Sequence, residues 1–110
     1  MRVIRSRNFD RRAERTGLDE DDLSELVRLL VERPQLGPVI PGTGGARKVR
    51  VRLPGRGKSG GARVIYAIVL RATALALLDV YAKGRQDNLT PQECKSIAKL
   101  IRAIESEFEA

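Results

Sequence analysis

The clearest pattern along the chain is an alternation of apolar and cationic positions over residues 47–53. Val49, Val51 and Leu53 take every second position, and Lys48, Arg50 and Arg52 take the positions between them. Because successive side chains of a β-strand point to opposite faces, this pattern predicts a strand with one buried and one cationic face. A glycine-rich turn follows, and residues 62–70 and 74–82 are apolar enough to form two more strands. Three strands joined by short turns predict an antiparallel meander.

The pattern before the meander is helical. Asn8 is the predicted cap of a first helix, at about 9–16, and Gly17 follows where a left-handed residue ends such a helix. Asp19 opens a second helix that Pro34 ends. Its apolar side chains recur at helical spacing: Leu23, Leu26, Val27, Leu30 and Val31.

The two ends of the chain carry signals of different strength. Val3 and Ile4 fit either a short strand or the lead-in to a helix. Thr90, Pro91 and Glu93 form a capping box with proline in the first helical position, which predicts a C-terminal helix. Its apolar face comprises Ile97, Leu100, Ile101, Ile104 and Phe108.

These elements predict one α+β domain over residues 1–110, with a twisted antiparallel sheet, two N-terminal helices and one C-terminal helix. The chain has no histidine and only one cysteine, Cys94, which excludes histidine-based catalysis and argues against a zinc site or an internal disulfide. We expect no metal or other cofactor. No apolar run reaches the ~20 residues of a membrane span, and Met1 is followed at once by charge. We therefore expect a cytoplasmic protein without a membrane partner.

Charge is concentrated in the middle of the chain. Residues 47–85 carry ten Lys or Arg and one acid, Asp79, whereas residues 1–46 are neutral and residues 86–110 carry a net charge of −2. The whole net charge of +7 therefore comes from the predicted meander. Such concentration indicates a polyanionic partner, with nucleic acid the best candidate.

The candidate site is the cationic face of the meander. Its predicted members are Lys48, Arg50, Arg52, Arg63 at the start of the second strand, and Lys83 at the end of the third. The alternative is an ordinary solvated face, but such a face usually mixes both signs of charge. On the residues alone, binding is favoured over catalysis.

Catalysis of RNA cleavage remains open without histidine. A lysine whose pKa is lowered by neighbouring cations can act as a base, and arginines can stabilise the added negative charge on phosphorus. The parity of Tyr81 matches that of Lys83, so it is the candidate for stacking a base or donating a proton, whereas Tyr66 is expected to pack on the opposite face. Asp79 is interpreted as an internal salt-bridge partner that orients an arginine.

A second possible site is rejected. Gly57, Lys58 and Ser59 look like the end of a phosphate-binding P-loop, but Arg52 stands where that motif needs glycine, and a strand rather than a helix follows. We interpret these residues as a hairpin loop.

Three segments resemble the HigB branch of the RelE/ParE toxin superfamily. They are PQLGPVIPGTGGARKVR at residues 34–50, GKSGGARVIY at residues 57–66, and YAK at residues 81–83 with the following Asn88, Leu89, Thr90 and Glu93. The likeness covers about residues 20–100. It implies a microbial-ribonuclease-like α+β fold with helices on one face of the sheet and a basic groove on the other.

The resemblance also implies a function. Such proteins are toxins of type II toxin–antitoxin pairs that cut mRNA in the ribosomal A site by metal-independent 2′-hydroxyl attack. Their partners are the mRNA, ribosomal RNA and a cognate antitoxin, often one with a helix-turn-helix domain, which links the toxin to operator DNA only indirectly. The ParE side of the superfamily implies an alternative, a non-nuclease inhibitor of DNA gyrase, and an RNA-binding domain without activity is a third reading.

By the resemblance, the catalytic positions are Lys48, Arg50, Arg63 and Lys83. The residues around them are assigned to substrate binding: Arg47, Arg52, Lys58, Tyr81 and Arg85. Gly84 and Thr90 stand where RelE-like members carry an arginine and a catalytic tyrosine, and Arg85 is the candidate to replace that arginine.

Overall fold

The computed structural model describes residues 1–52, 61–82 and 88–108. Its elements are, in chain order, β1 (Arg2–Arg5), α1 (Arg7–Thr16), α2 (Glu20–Glu32), β2 (Arg47–Arg52), β3 (Gly61–Val69), β4 (Ala74–Ala82) and α3 (Pro91–Glu107). The predicted α+β class, with two N-terminal helices and one C-terminal helix, is confirmed. No helix within the described ranges is long and apolar enough to span a membrane.

The four strands form one sheet in the order β1-β4-β3-β2. The predicted meander of β2, β3 and β4 is antiparallel, but β1 lies parallel to β4, so the sheet is mixed. Val3 and Ile4 thus belong to a strand, paired with Leu75 and Ala76. This parallel pairing is possible because the chain between β1 and the meander is long enough to cross over through two helices.

The helix ends follow local capping chemistry. Ser6, rather than the predicted Asn8, caps α1: its hydroxyl accepts a hydrogen bond from the Phe9 N–H at 3.0 Å and donates one to Leu78 O at 2.9 Å. Gly17 ends α1 at φ 89°, as predicted. Asp19 and Thr90 are the N-caps of α2 and α3, each within a capping box.

The sheet is buried on both faces. α1 and α2 cover one face through apolar side chains that include Phe9, Leu26 and Leu30. α3 covers much of the other face through Ile97, Ile101 and Ile104. The expectation that all helices lie on one face is therefore wrong. Its physical reason is β4, whose apolar residues continue at every position from Ala74 to Leu78 and need cover on both sides.

The loop between α2 and β2 packs against two neighbours. The Tyr66 hydroxyl accepts from the Gly37 N–H at 3.0 Å and donates to Pro34 O at 2.9 Å, so it holds the start of the loop to the sheet. Further on, Gly42 and Gly44 have positive φ angles, and a Cβ at either would lie 3.8 Å from α3. The loop thus ties the edge of β2 to α3.

Candidate functional site

Four cationic side chains share one face of the sheet: Lys48, Arg50 and Arg52 on β2, and Arg63 on β3. We call them the cationic row. Val49 is buried on the opposite face and Val51 packs there beside it, which confirms the predicted alternation. The row lies on the α3 side of the sheet, because Arg63 has the same parity as Ile65, which packs in the cluster beneath α3.

Two arginines of the row stand directly across from each other. Arg50 on β2 pairs with Arg63 on β3, so their Cβ atoms are about 4.5–5.5 Å apart. Like charges in directly opposite positions destabilise a sheet. Among the residues that the structure describes, Arg50, Arg52 and Arg63 take part in no ion pair. No direct ion pair offsets this repulsion within the described residues, although Asp22 and Glu25 of α2 line the same pocket as Arg50 and Arg52. A repulsive pair of this kind is typical of a binding or catalytic site.

Arg63 is the most enclosed arginine of the row. Its side chain is half-buried, and its Nη1 atom is buried without a hydrogen-bond acceptor among the described residues. A buried N–H group without an acceptor costs free energy that an incoming oxygen would recover. A guanidinium matches the oxygens of a phosphate group in both charge and geometry.

The two tyrosines lie on opposite faces of the sheet, as expected. Tyr66 is fully buried on the α1 and α2 side, which confirms its expected packing role. Tyr81 lies directly across from Arg63 on β4. It is only 5% exposed and packs in the cluster beneath α3, so its ring does not offer an open surface for stacking a base.

Asp79 is buried beside the row but is bound by α1. Its carboxylate accepts from Arg12 Nη1 at 3.3 Å, from Asn8 Nδ2 at 3.2 Å and from the Val80 N–H at 2.8 Å. Burial raises the pKa of Asp79 above its ordinary value, although the Val80 N–H and the Arg12 charge act in the opposite direction. The predicted salt bridge is present, and its arginine comes from outside the basic block.

Arg47 lies apart from the cationic row. It has the parity of Val49 and donates from Nη1 to Gly37 O at 2.7 Å and to Gln35 O at 3.4 Å. Its guanidinium thus holds the loop before β2, on the face opposite Arg50. The structure gives Arg47 a positioning role instead of bringing it to the predicted substrate-binding set.

The remaining predicted residues are placed as follows. Lys58, Lys83 and Arg85 lie outside the described residues. The hydroxyl of Thr90 accepts from the Glu93 N–H as the cap of α3. Sequence reasoning missed the part that Asn8 and Arg12 play around Asp79, because no local spacing relates them to a carboxylate about seventy residues further on.

One comparison with known proteins bears on this arrangement. A family model described as the RelE toxin of the RelE/RelB toxin–antitoxin system matches residues 1–108, nearly the whole chain. The mixed sheet, the three helices and the basic strands are consistent with that fold. The chain belongs to the RelE toxin family, and its family implies a cognate antitoxin as partner.

Proposed function

We propose that this chain is a toxin of the HigB branch that cuts mRNA in the ribosomal A site and so inhibits translation. The observation that carries the proposal is the pairing of Arg50 with Arg63, two cations held face to face without a carboxylate between them among the described residues. A phosphodiester between them would relieve their repulsion. It would also supply an acceptor for the buried Arg63 Nη1.

The proposed reaction needs no metal and no protein nucleophile. The 2′-hydroxyl oxygen of the RNA attacks the adjacent phosphorus, the bond from phosphorus to the 5′-oxygen of the next nucleotide breaks, and a 2′,3′-cyclic phosphate and a 5′-hydroxyl result. In this scheme Lys48 takes the proton of the attacking hydroxyl. Arg50 and Arg63 stabilise the charge that builds on the phosphorane oxygens. Lys83 is proposed as the fourth catalytic residue, and the leaving 5′-oxygen takes its proton from water.

The other cations are proposed to hold the RNA strand. Arg52 is exposed at the end of β2 and lies beyond Arg50 on the same face. Lys58 and Arg85 are assigned to the same task from sequence. Such an acid–base set without histidine would gain most from a ribosome that aligns the 2′-hydroxyl, the phosphorus and the leaving oxygen. The antitoxin is proposed to carry a helix-turn-helix domain, and to bring the toxin to operator DNA only through itself.

Primer extension on mRNA from cells that express the chain tests this function. We expect discrete breaks inside codons, confined to translated regions. Intact mRNA together with damaged DNA would contradict the proposal and support a ParE-like inhibitor of gyrase. Intact mRNA and DNA without growth arrest would support an RNA-binding domain without activity.

A further inference from the structure

The outer face of α3 carries a second set of cations. Lys95, Lys99 and Arg102 are all exposed, and at 100° per residue they lie within about 60° of one another around the helix. We call them the α3 stripe. The residues between and beside them on this outer face are neutral: Gln92, Ala103 and Ser106. None of the three stripe cations makes an ion pair within the described ranges.

The acids of α3 lie elsewhere on the helix. Glu93 is half-buried and satisfies the Thr90 N–H in the capping box. Glu105 is half-buried, and Glu107 lies on a flank in the last turn. At 100° per residue, Glu105 is directed about 60° away from Arg102, whereas Glu93 and Glu107 are directed about 80° or more away from Lys99, the cation nearest to them around the helix. The stripe itself thus carries only positive charge among the described residues, with Glu105 at its edge, unlike the mixed faces that usually keep a helix soluble.

The stripe and the cationic row lie on the same side of the molecule. α3 packs on the sheet face that carries Arg63, and its first turns lie near Asp79, which pairs with Ile65. Its last turn lies at the far end, where Arg2 stacks over the Phe108 ring at 4.7 Å. The stripe thus runs away from the row along one side of the protein. α2 packs on the other face of the sheet, and its acids Asp22, Glu25 and Glu32 line one pocket with Arg50 and Arg52 at the edge of β2.

We propose that the α3 stripe binds the phosphate backbone of ribosomal RNA next to the mRNA held by the cationic row. This inference rests on the proposed function, because it places the row on mRNA within the ribosome. Lysine and arginine on an exposed helix contact phosphates without reading bases, so the stripe would position the toxin rather than select a sequence. Its three cations span about 10 Å along the helix axis, which allows contacts to successive phosphates.

The test is the salt dependence of binding to purified ribosomes. A Lys95→Gln/Lys99→Gln/Arg102→Gln variant keeps residues of similar helix propensity, so α3 should remain folded. We expect the slope of log K against log salt to become shallower by about 2 to 3. Between about 50 and 200 mM salt, the wild type should then lose roughly 16- to 64-fold more affinity than the variant.

A matched control distinguishes a specific contact by the α3 stripe from a general effect of the protein's net charge. Arg7, Arg11 and Arg15 are also exposed at helical spacing, but they lie on α1, across the sheet from the stripe. The variant Arg7→Gln/Arg11→Gln/Arg15→Gln removes the same total charge and should change the slope by less than 1. The charge-conserving variant Lys95→Arg/Lys99→Arg/Arg102→Lys should retain the wild-type slope.

The outcomes distinguish this inference from the proposed function. If the wild type cuts ribosome-bound mRNA but the two triple glutamine variants change the slope equally, the stripe is not a contact surface and the inference fails alone. The same holds if the α3 variant binds ribosomes as the wild type does but loses affinity for the antitoxin, since the stripe would then be an antitoxin contact. If the wild type neither binds ribosomes nor cuts mRNA, the proposed function fails as well.

Discussion

Among the described glycines, Gly37 has the least space for an added side chain. A Cβ built on it would lie 2.3 Å from Lys48 O, far inside any real contact, and the obstacle is backbone rather than a movable side chain. The close approach lets the Lys48 N–H donate to Pro38 O at 3.1 Å, which pairs the loop with the outer edge of β2. Lys48 thus depends for its position in the cationic row on Gly37, eleven residues earlier.

We expect Gly37→Ala to lower the free energy of unfolding by about 1–3 kcal/mol, because the loop or β2 must shift to admit the methyl group. Urea unfolding of the purified chain measures this. Gly61→Ala is the matched control, since its Cβ would meet Val51 O at an ordinary 3.4 Å. If the two variants unfold alike, the loop does not hold β2 as described.

The sequence predicted well on which face of the sheet a residue lies, but it predicted poorly which other residues its side chain contacts. Arg63 and Tyr66 lie on the faces that alternation along β3 requires. Tyr81 shares the face of Arg63 because β4 has an extra residue between the pairs Tyr66–Leu77 and Ile65–Asp79, which shifts its alternation. Burial of Tyr81 beneath α3 and the two carbonyls bound by Arg47 were not predictable. They depend on which helix or loop covers the sheet, and no local pattern encodes that.

At the scale of elements, the first and last helices, α1 and α3, approach each other over β4 and line a cleft of about 350 Å³. Asp79 lies in it, with Asn8 and Arg12 from α1 on one side and Gln92, Glu93 and Ser96 from α3 on the other. Asp79 is 6% exposed, so its carboxylate carries a desolvation cost that Arg12 only partly offsets. The stability that Asp79 contributes between α1 and β4 should therefore depend on pH.

The sign of that dependence follows from the raised pKa of Asp79. The folded chain holds this proton more readily than the unfolded chain, so ionisation of Asp79 costs stability at neutral pH. As the pH falls through the raised pKa, the wild type should gain stability relative to Asp79→Asn, by about 1.4 kcal/mol for each unit of the pKa difference.

Urea unfolding of both proteins from about pH 7 down to about pH 3.5 measures this gain, which is complete only below the ordinary pKa of an aspartate, about 3.9. Glu25→Gln is the control, because it removes an exposed carboxyl on α2. It should show how much the pH dependence of stability changes when the lost carboxyl is not buried. A wild type that loses stability against Asp79→Asn on acidification would mean that Arg12 and the Val80 N–H outweigh burial.

Whole elements were predictable where their signals were local. The capping box at Thr90 and the alternation over β2 gave the positions of α3 and β2 without any knowledge of the fold. The parallel pairing of β1 and the burial of both sheet faces were not foreseen, since they arise from contacts between distant parts of the chain.

For the whole molecule, function depends on an asymmetric distribution of charge. The ion pairs seen among the described residues all involve α1 or the end of β1: Arg5 with Asp10, Arg5 with Glu20, and Arg12 with Asp79. Within the described residues, Arg50, Arg52 and Arg63 form no such ion pair. Their guanidinium groups therefore remain able to attract a polyanion.

The most direct test of the account is the rate at which purified toxin cuts an mRNA held on ribosomes. We expect the wild type to leave a 2′,3′-cyclic phosphate and a 5′-hydroxyl. Arg63→Ala should cut at least about 100-fold more slowly, because it removes a group that we propose stabilises the transition state. It should still bind the antitoxin, and Arg11→Ala, on the outer face of α1, should cut at the wild-type rate. Cutting by Arg63→Ala at the wild-type rate would contradict the account.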